Sequence, residues 1–168
     1  MSHELPPRPQ RAPALSQNYG LLASPPPLQV VVARAFVSCA LSMRAQLDVH
    51  EDTPAAAQLI SCSRAWLAEH RFDRLLHDTE AASLASPAGS LEASLRERFG
   101  LLGEAAGVMA WALRRAALAA PDAAVEAADA AAALGFLTDA GATLATSARL
   151  RDREETGRYA DIAGALHW

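Results

Sequence analysis

The sequence predicts an all-α fold, an irregular bundle of about six to seven helices preceded by a proline-rich, disordered N-terminal tail. Three observations support this. Alanine, the strongest helix former, fills 40 of 168 positions, and aromatic residues supply only 5%. A β-sandwich draws on the β-branched and aromatic residues that are scarce here. Apolar residues recur every three or four positions in several stretches, and most of these stretches are preceded by Thr, Ser or Asp, the residues that cap helix N-termini. The length fits a tail over 1–27 and a single helical domain over 28–168, large enough to bury about two thirds of its unfolded surface.

Seven of the ten prolines lie within 1–27, ending in Pro25-Pro26-Pro27. Proline lacks a backbone donor and breaks helix interiors, so a solvated leader is favoured over a groove-docking arm. Leu28, Val32, Phe36, Cys39, Met43 and Leu47 then form one helical stripe ending near Asp48. Gln29, Arg34, Ser38 and Ser42 interrupt the apolar run Leu28 to Met43, which at this length reads as a core helix too short to span a bilayer. His50-Glu51-Asp52 makes a polar turn.

Thr53-Pro54 opens a second helix, an N-cap followed by proline at the first helical position, with Leu59, Ile60, Ser63, Trp66 and Leu67 on its buried face. A third helix is expected over Phe72 to Leu84, ended by Ser86-Pro87-Ala88-Gly89. Ser90 caps a fourth with the stripe Leu91, Leu95, Phe99, Leu102, Ala106, Met109 and Leu113. It runs to about Leu118 as the central helix, bent where Gly100 and Gly103 weaken it. Its small residues Gly103, Ala106, Gly107 and Ala110 let a neighbour approach closely. Pro121-Asp122 starts the next helix, which reaches Leu134; Thr138 or Asp139 caps a short one to Ala145, and Asp152 opens the last.

Composition excludes several chemistries. All 15 basic residues are arginine, which removes Schiff-base lysines, a P-loop lysine and a lysine general base. The arginines are spread along a chain of net charge −4, a pattern unlike the concentrated basic surface of nucleic-acid binders. Cys39 and Cys62 have no C-x-x-C spacing and fall in helical stretches, so both are expected reduced and buried, as suits the cytoplasm. The start Met1-Ser2-His3-Glu4-Leu5 has no basic stretch leading into an apolar run, hence no secretory signal or membrane segment is expected. Neither a G-x-S-x-G, a G-x-G-x-x-G nor a P-loop occurs, and no cofactor is implied.

The scarce polar and aromatic residues supply the candidate site. On the last helix Glu155 and Tyr159 share a face with Ile162, Ala163 and Leu166, so Arg151, Glu155, Tyr159 and His167 could line one cleft. Architecture explains the same residues more simply: a packed Tyr159, a Glu154–Arg158 pair, and His167 at a helix end. Glu104, with Trp111 two turns on, organises the fold if buried against an arginine and is a solvated side chain if exposed. His70, Asp73, His77 and Glu80 would form a stripe of metal-ligand types if one helix covered them, but Arg71 and Arg74 flank it and a solvated face is favoured.

The segment Glu104 to Leu113, the following Pro121-Asp122, Leu150-Arg151 with Glu155, and Asp161 before His167-Trp168 together resemble a bacterial family catalogued as domain of unknown function 4272. The likeness covers roughly 30–168. That resemblance implies a helical fold and supplies no reaction. The chain departs from the family pattern at Leu101-Leu102-Gly103 and at Gly164-Ala165, where relatives carry Trp-Arg and Tyr-Arg pairs.

The sequence therefore favours a non-enzymatic, cytoplasmic interaction module that binds another protein through a surface near Trp111, Arg151, Glu155 and His167, for instance an adaptor or a toxin-neutralising partner. One alternative is a hydrolase or metal-dependent enzyme using Glu104, Glu155 and His167, or the His70/His77 stripe. Another is a homo-oligomer associating through Gly103, Gly107 and Ala110.

Overall fold

Helix α1 (Leu28–Val49) forms the core of the fold because it is apolar on nearly every side: Val32, Ala35, Phe36, Val37, Ala40 and Leu41 are all buried. A computed structural model describes residues 26–49, 53–117 and 126–166, with side chains described as far as Tyr159. Outside the described residues lie 1–25 of the expected tail, His50-Glu51-Asp52, the Pro121-Asp122 helix start, His167 and Trp168. The described backbone is helices and connecting turns, as the all-α reading requires. Two compact units are present, one of Pro26–Arg151 and a second that contains Asp152–Trp168.

α1 packs on most of the other helices of its unit, so the central helix is this one and not the stretch after Ser90. At 22 residues it is also long and apolar enough to cross a membrane by length and composition, which corrects the expectation from Leu28 to Met43 alone; 67% of its apolar window is buried by the surrounding helices.

α2 (Pro54–Glu69) starts as expected: the Thr53 hydroxyl accepts from the Ala56 N–H at 3.1 Å. Ile60, Ser63 and Leu67 face inward, but Leu59 is 44% exposed, because its position lies one residue off the stripe. The expected third helix divides. Arg71 adopts a left-handed φ of 61°, a 3-10 turn covers Phe72–Leu75, and α3 (Asp78–Ala85) follows after extended backbone at Leu76 and His77. Phe72 is thereby turned into the core against Phe36 and Trp66, with ring centroids 5.0 and 5.6 Å apart.

The expected fourth helix also divides, at Leu101, into α4 (Ala93–Gly100) and α5 (Leu102–Ala112). Ser90 is not its cap: the hydroxyl donates to the Pro87 carbonyl at 2.6 Å, and Glu92 occupies the N-cap position. Close approach at Gly103 is real, since a Cβ there would sit 2.7 Å from Ala127 Cβ and 2.9 Å from Ser42 Oγ. α5 stops at Ala112, short of Leu118, in a turn where Arg114 takes φ 59°.

α6 (Ala127–Leu134) ends on Gly135 at φ 72°. α7 (Asp139–Ala142) is capped by Thr138, whose Oγ1 accepts from Gly141 N–H at 3.3 Å, and α8 (Leu144–Ser147) buries Leu144. In the second unit α9 (Arg153–Leu166) is opened by Asp152, whose carboxylate accepts from the Glu155 N–H at 2.8 Å. The Glu154–Arg158 ion pair forms at 3.0 Å on its exposed face.

Candidate functional site

Two arginines of α1 decide where the α3 region sits. Arg44 is fully buried, a costly placement unless its donors are matched. Each of its three nitrogens is engaged: Nε donates to Ser83 O at 3.2 Å, Nη2 to Pro87 O at 2.6 Å and Ser86 Oγ at 3.3 Å, and Nη1 pairs with Asp48. Asp48 in turn accepts from the Leu91 N–H at 3.2 Å and lies 3.7 Å from Arg96. The network therefore ties both ends of the Ser83-to-Leu91 connection to one turn of α1.

One end of α3 is held by Arg34, which grips Glu80 through two bonds of 2.9 and 3.0 Å and also donates to Leu75 O at 3.0 Å. Glu80 Oε2 further accepts from the His77 N–H at 3.0 Å, half of a capping box for α3. Burial pushes the Glu80 carboxyl up, but the Arg34 hydrogen bond, the His77 N–H and the positive charges of both residues outweigh it, leaving the pKa below the ordinary 4.5. A carboxylate held low contributes its full stability above the unfolded value and loses it as pH falls through the folded one. E80Q should therefore cost on the order of 2 kcal/mol at neutral pH, and urea unfolding should show the difference from wild type shrinking on acidification. A difference that stays constant to about pH 3 would contradict this account.

The proposed His70, Asp73, His77 and Glu80 stripe does not form, because the left-handed Arg71 and the extended Leu76 and His77 interrupt the helix it needs. His70 packs edge-on against Trp66 at 4.8 Å, and Glu80 is committed to Arg34. Among the described residues no three His, Cys, Asp or Glu side chains group closely enough to hold a metal ion. Asp73 instead borders a groove of about 420 Å³ between α2 and α3, with Ser61 and Arg64 on its rim and Leu67, Leu76 and Leu84 along its floor.

The cysteines differ from expectation in one respect. Cys39 is buried, and burial pushes its thiol up to about 12, whereas Cys62 is exposed on α2. A maleimide titration of the native protein should modify Cys62 alone, with Cys39 reacting only after denaturation. Rapid modification of both would contradict the packing of Cys39.

At the C-terminal end of α5 the sequence-derived candidates partly converge. Arg151 places its guanidinium 5.0 Å over the Trp111 ring, donates from Nε to Trp111 O at 2.7 Å, and bonds through its own backbone N–H to Ala112 O at 2.8 Å. Trp111 itself is only 6% exposed. Arg114, Arg115 and Arg149 are exposed close to these contacts in the chain, a grouping that the even spread of arginines along the sequence conceals. Glu104 does not join them. It is exposed in the first turn of α5, seven residues and about 10 Å of helix from Trp111.

Glu155 and Tyr159 lie on α9 in the second unit, both half-buried, and His167 lies outside the described residues. What the α5 end offers chemically is one fixed guanidinium, stacked and hydrogen-bonded, with exposed arginines close to it in the chain, a side-chain type suited to binding carboxylate or other anions. No family model, no curated protein and no solved structure matches this chain.

Proposed function

We propose that the protein is a non-catalytic helical interaction module that binds another protein at the C-terminal end of α5. The observation that carries this reading is the anchoring of Arg151. Stacking on Trp111 and the Nε–H bond to its carbonyl hold the guanidinium, and the backbone N–H bond to Ala112 O holds the chain that carries it, so less rotamer freedom is left to lose on binding. Preorganised Arg and Trp groups of this kind dominate the energetics of protein interfaces. The hydrolase alternative is weakened because Glu104 stands at the opposite end of α5 from Trp111 and Arg151. Self-association through Gly103, Gly107 and Ala110 is weakened because Gly103 already meets Ala127 and Ser42 of the same chain and Ala110 is buried, which leaves only the half-buried Gly107 of the three.

Site-specific photo-crosslinking in the native cell tests the proposal. A crosslinker replacing the exposed Ala117 should give a discrete adduct that R151A removes, and one replacing the exposed Gln58 on α2 should not. No adduct from position 117, or the same adduct from both positions, would sink the reading.

A further inference from the structure

The turns that end α5 and α6 share one hydrogen-bond pattern and fill it differently. In α6 the Phe136 N–H reaches Ala131 O at 2.9 Å and the Gly135 N–H reaches Ala132 O at 3.0 Å. In α5 the Arg115 N–H reaches Ala110 O at 2.8 Å and the Arg114 N–H reaches Trp111 O at 2.9 Å. This double closure is the Schellman turn, which favours glycine in the left-handed position and an apolar residue after it.

α6 supplies both, with Gly135 at φ 72° and Phe136 stacked 6.2 Å from Phe36. α5 supplies neither: Arg114 takes φ 59° despite its side chain, and Arg114 and Arg115 are both exposed. The turn itself gives no reason for either arginine, and strained left-handed residues concentrate at functional positions. Arg149, also exposed, lies two residues before the anchored Arg151. A helix C-terminus attracts a cation, and Arg151 already answers that attraction through the Trp111 carbonyl.

We propose that the exposed Arg114, Arg115 and Arg149, close in the chain to the anchored Arg151, form a docking surface for an acidic segment of a partner protein. This rests on the reading of the α5 end as an interaction surface and specifies the chemistry it selects. Guanidinium groups pair with carboxylates through two parallel hydrogen bonds. Nucleic acid fits less well, since single strands bind on open aromatic faces and Trp111 is buried beneath Arg151. The net charge of −4 also opposes a long polyanion, whereas a short acidic segment responds to the local field within a Debye length of about 10 Å.

The test titrates the full chain with a short Glu-rich peptide, a single-stranded oligonucleotide of equal charge, and inorganic phosphate. Saturable peptide binding should weaken at least about tenfold in R114G and in R115A/R149A, and weaken with added salt. R71G, at the left-handed arginine that ends α2, should leave the affinity unchanged. R114G also relieves backbone strain, so its thermal midpoint should rise while its affinity falls, a combination that damage to the fold cannot produce. Wild-type peptide affinity in R114G, tighter binding of the oligonucleotide, or full displacement of the peptide by phosphate at equal charge would each overturn the inference. An Ala117 crosslink that survives R114G would refute the acidic partner and leave the interaction module standing; absence of any crosslink would refute the module itself.

Discussion

Gly141→Ala is expected to be among the most damaging single substitutions in the chain, costing about 3 kcal/mol or more of a stability that for such domains totals only about 5–15 kcal/mol. A Cβ at this position would fall 2.2 Å from the Gly135 carbonyl oxygen and 2.9 Å from its carbon, with Phe36 Cζ at 3.3 Å behind. The obstacle is backbone, and backbone that cannot move aside. Gly135 is held in the left-handed conformation that ends α6, and its carbonyl is engaged by the Thr138 hydroxyl at 2.7 Å and the Thr138 N–H at 3.1 Å. Opening the crossing would break the α7 cap and withdraw Phe136 from the aromatic cluster around Phe36 and Trp66. The control is Gly100→Ala, in helical backbone with no atom within 4 Å of the added carbon, where a neutral or slightly stabilising result is expected. Urea midpoints for the two variants separate the effect of contact from that of glycine entropy. Equal midpoints would mean that the Gly135–Gly141 crossing is not close-packed in solution.

Arg44→Met should cost about 3–5 kcal/mol, although it nearly preserves side-chain volume. The loss is electrostatic. Removing the guanidinium leaves Asp48 charged and fully buried with only the Leu91 N–H and the more distant Arg96, and it strips donors from the carbonyls of Ser83 and Pro87. Asp48→Asn should be damaging for the complementary reason, an arginine buried without its counter-charge. The double variant R44M/D48N should cost less than the sum of the single changes, since each single variant already counts the stranded partner. A cost below about 1 kcal/mol for R44M would show that the pair contributes nothing to holding the 83–91 connection against α1. Amide hydrogen exchange offers an independent reading: Leu91 N–H should lose protection in D48A, because its acceptors are the two Asp48 oxygens.

The features read correctly from the sequence are those that neighbours within four residues dictate. The α1 stripe, the Thr53 cap with Pro54 behind it, the Thr138 cap, the Asp152 start of α9 and the Glu154–Arg158 pair all depend on contacts inside one helical turn. The errors arose where a local pattern had two outcomes. Periodicity continues through 72–84, yet the helix is interrupted at Leu76, because turning Phe72 into the α1 core repays the interruption; in 91–113 the interruption at Leu101 is slight, with helical φ and ψ, and falls between Gly100 and Gly103, where a bend was expected. Arg44 and Asp48 carried a signal that was available, an opposite-charge pair at i,i+4 on an otherwise apolar helix, and Arg34 carried none.

All-α character, the starts of α2, α7 and α9 and the absence of lysine chemistry were thus determined by the sequence alone, since propensity, capping and composition need no knowledge of distant neighbours. Tertiary structure alone decided that Arg44 meets Ser83, that Arg34 meets Glu80 and that Arg151 stacks on Trp111, pairs 39, 46 and 40 residues apart. It alone decided, too, that Glu104 stands away from them. Side-chain identity states which bonds a residue is able to make; only the path of the backbone through the core selects the partner that makes them.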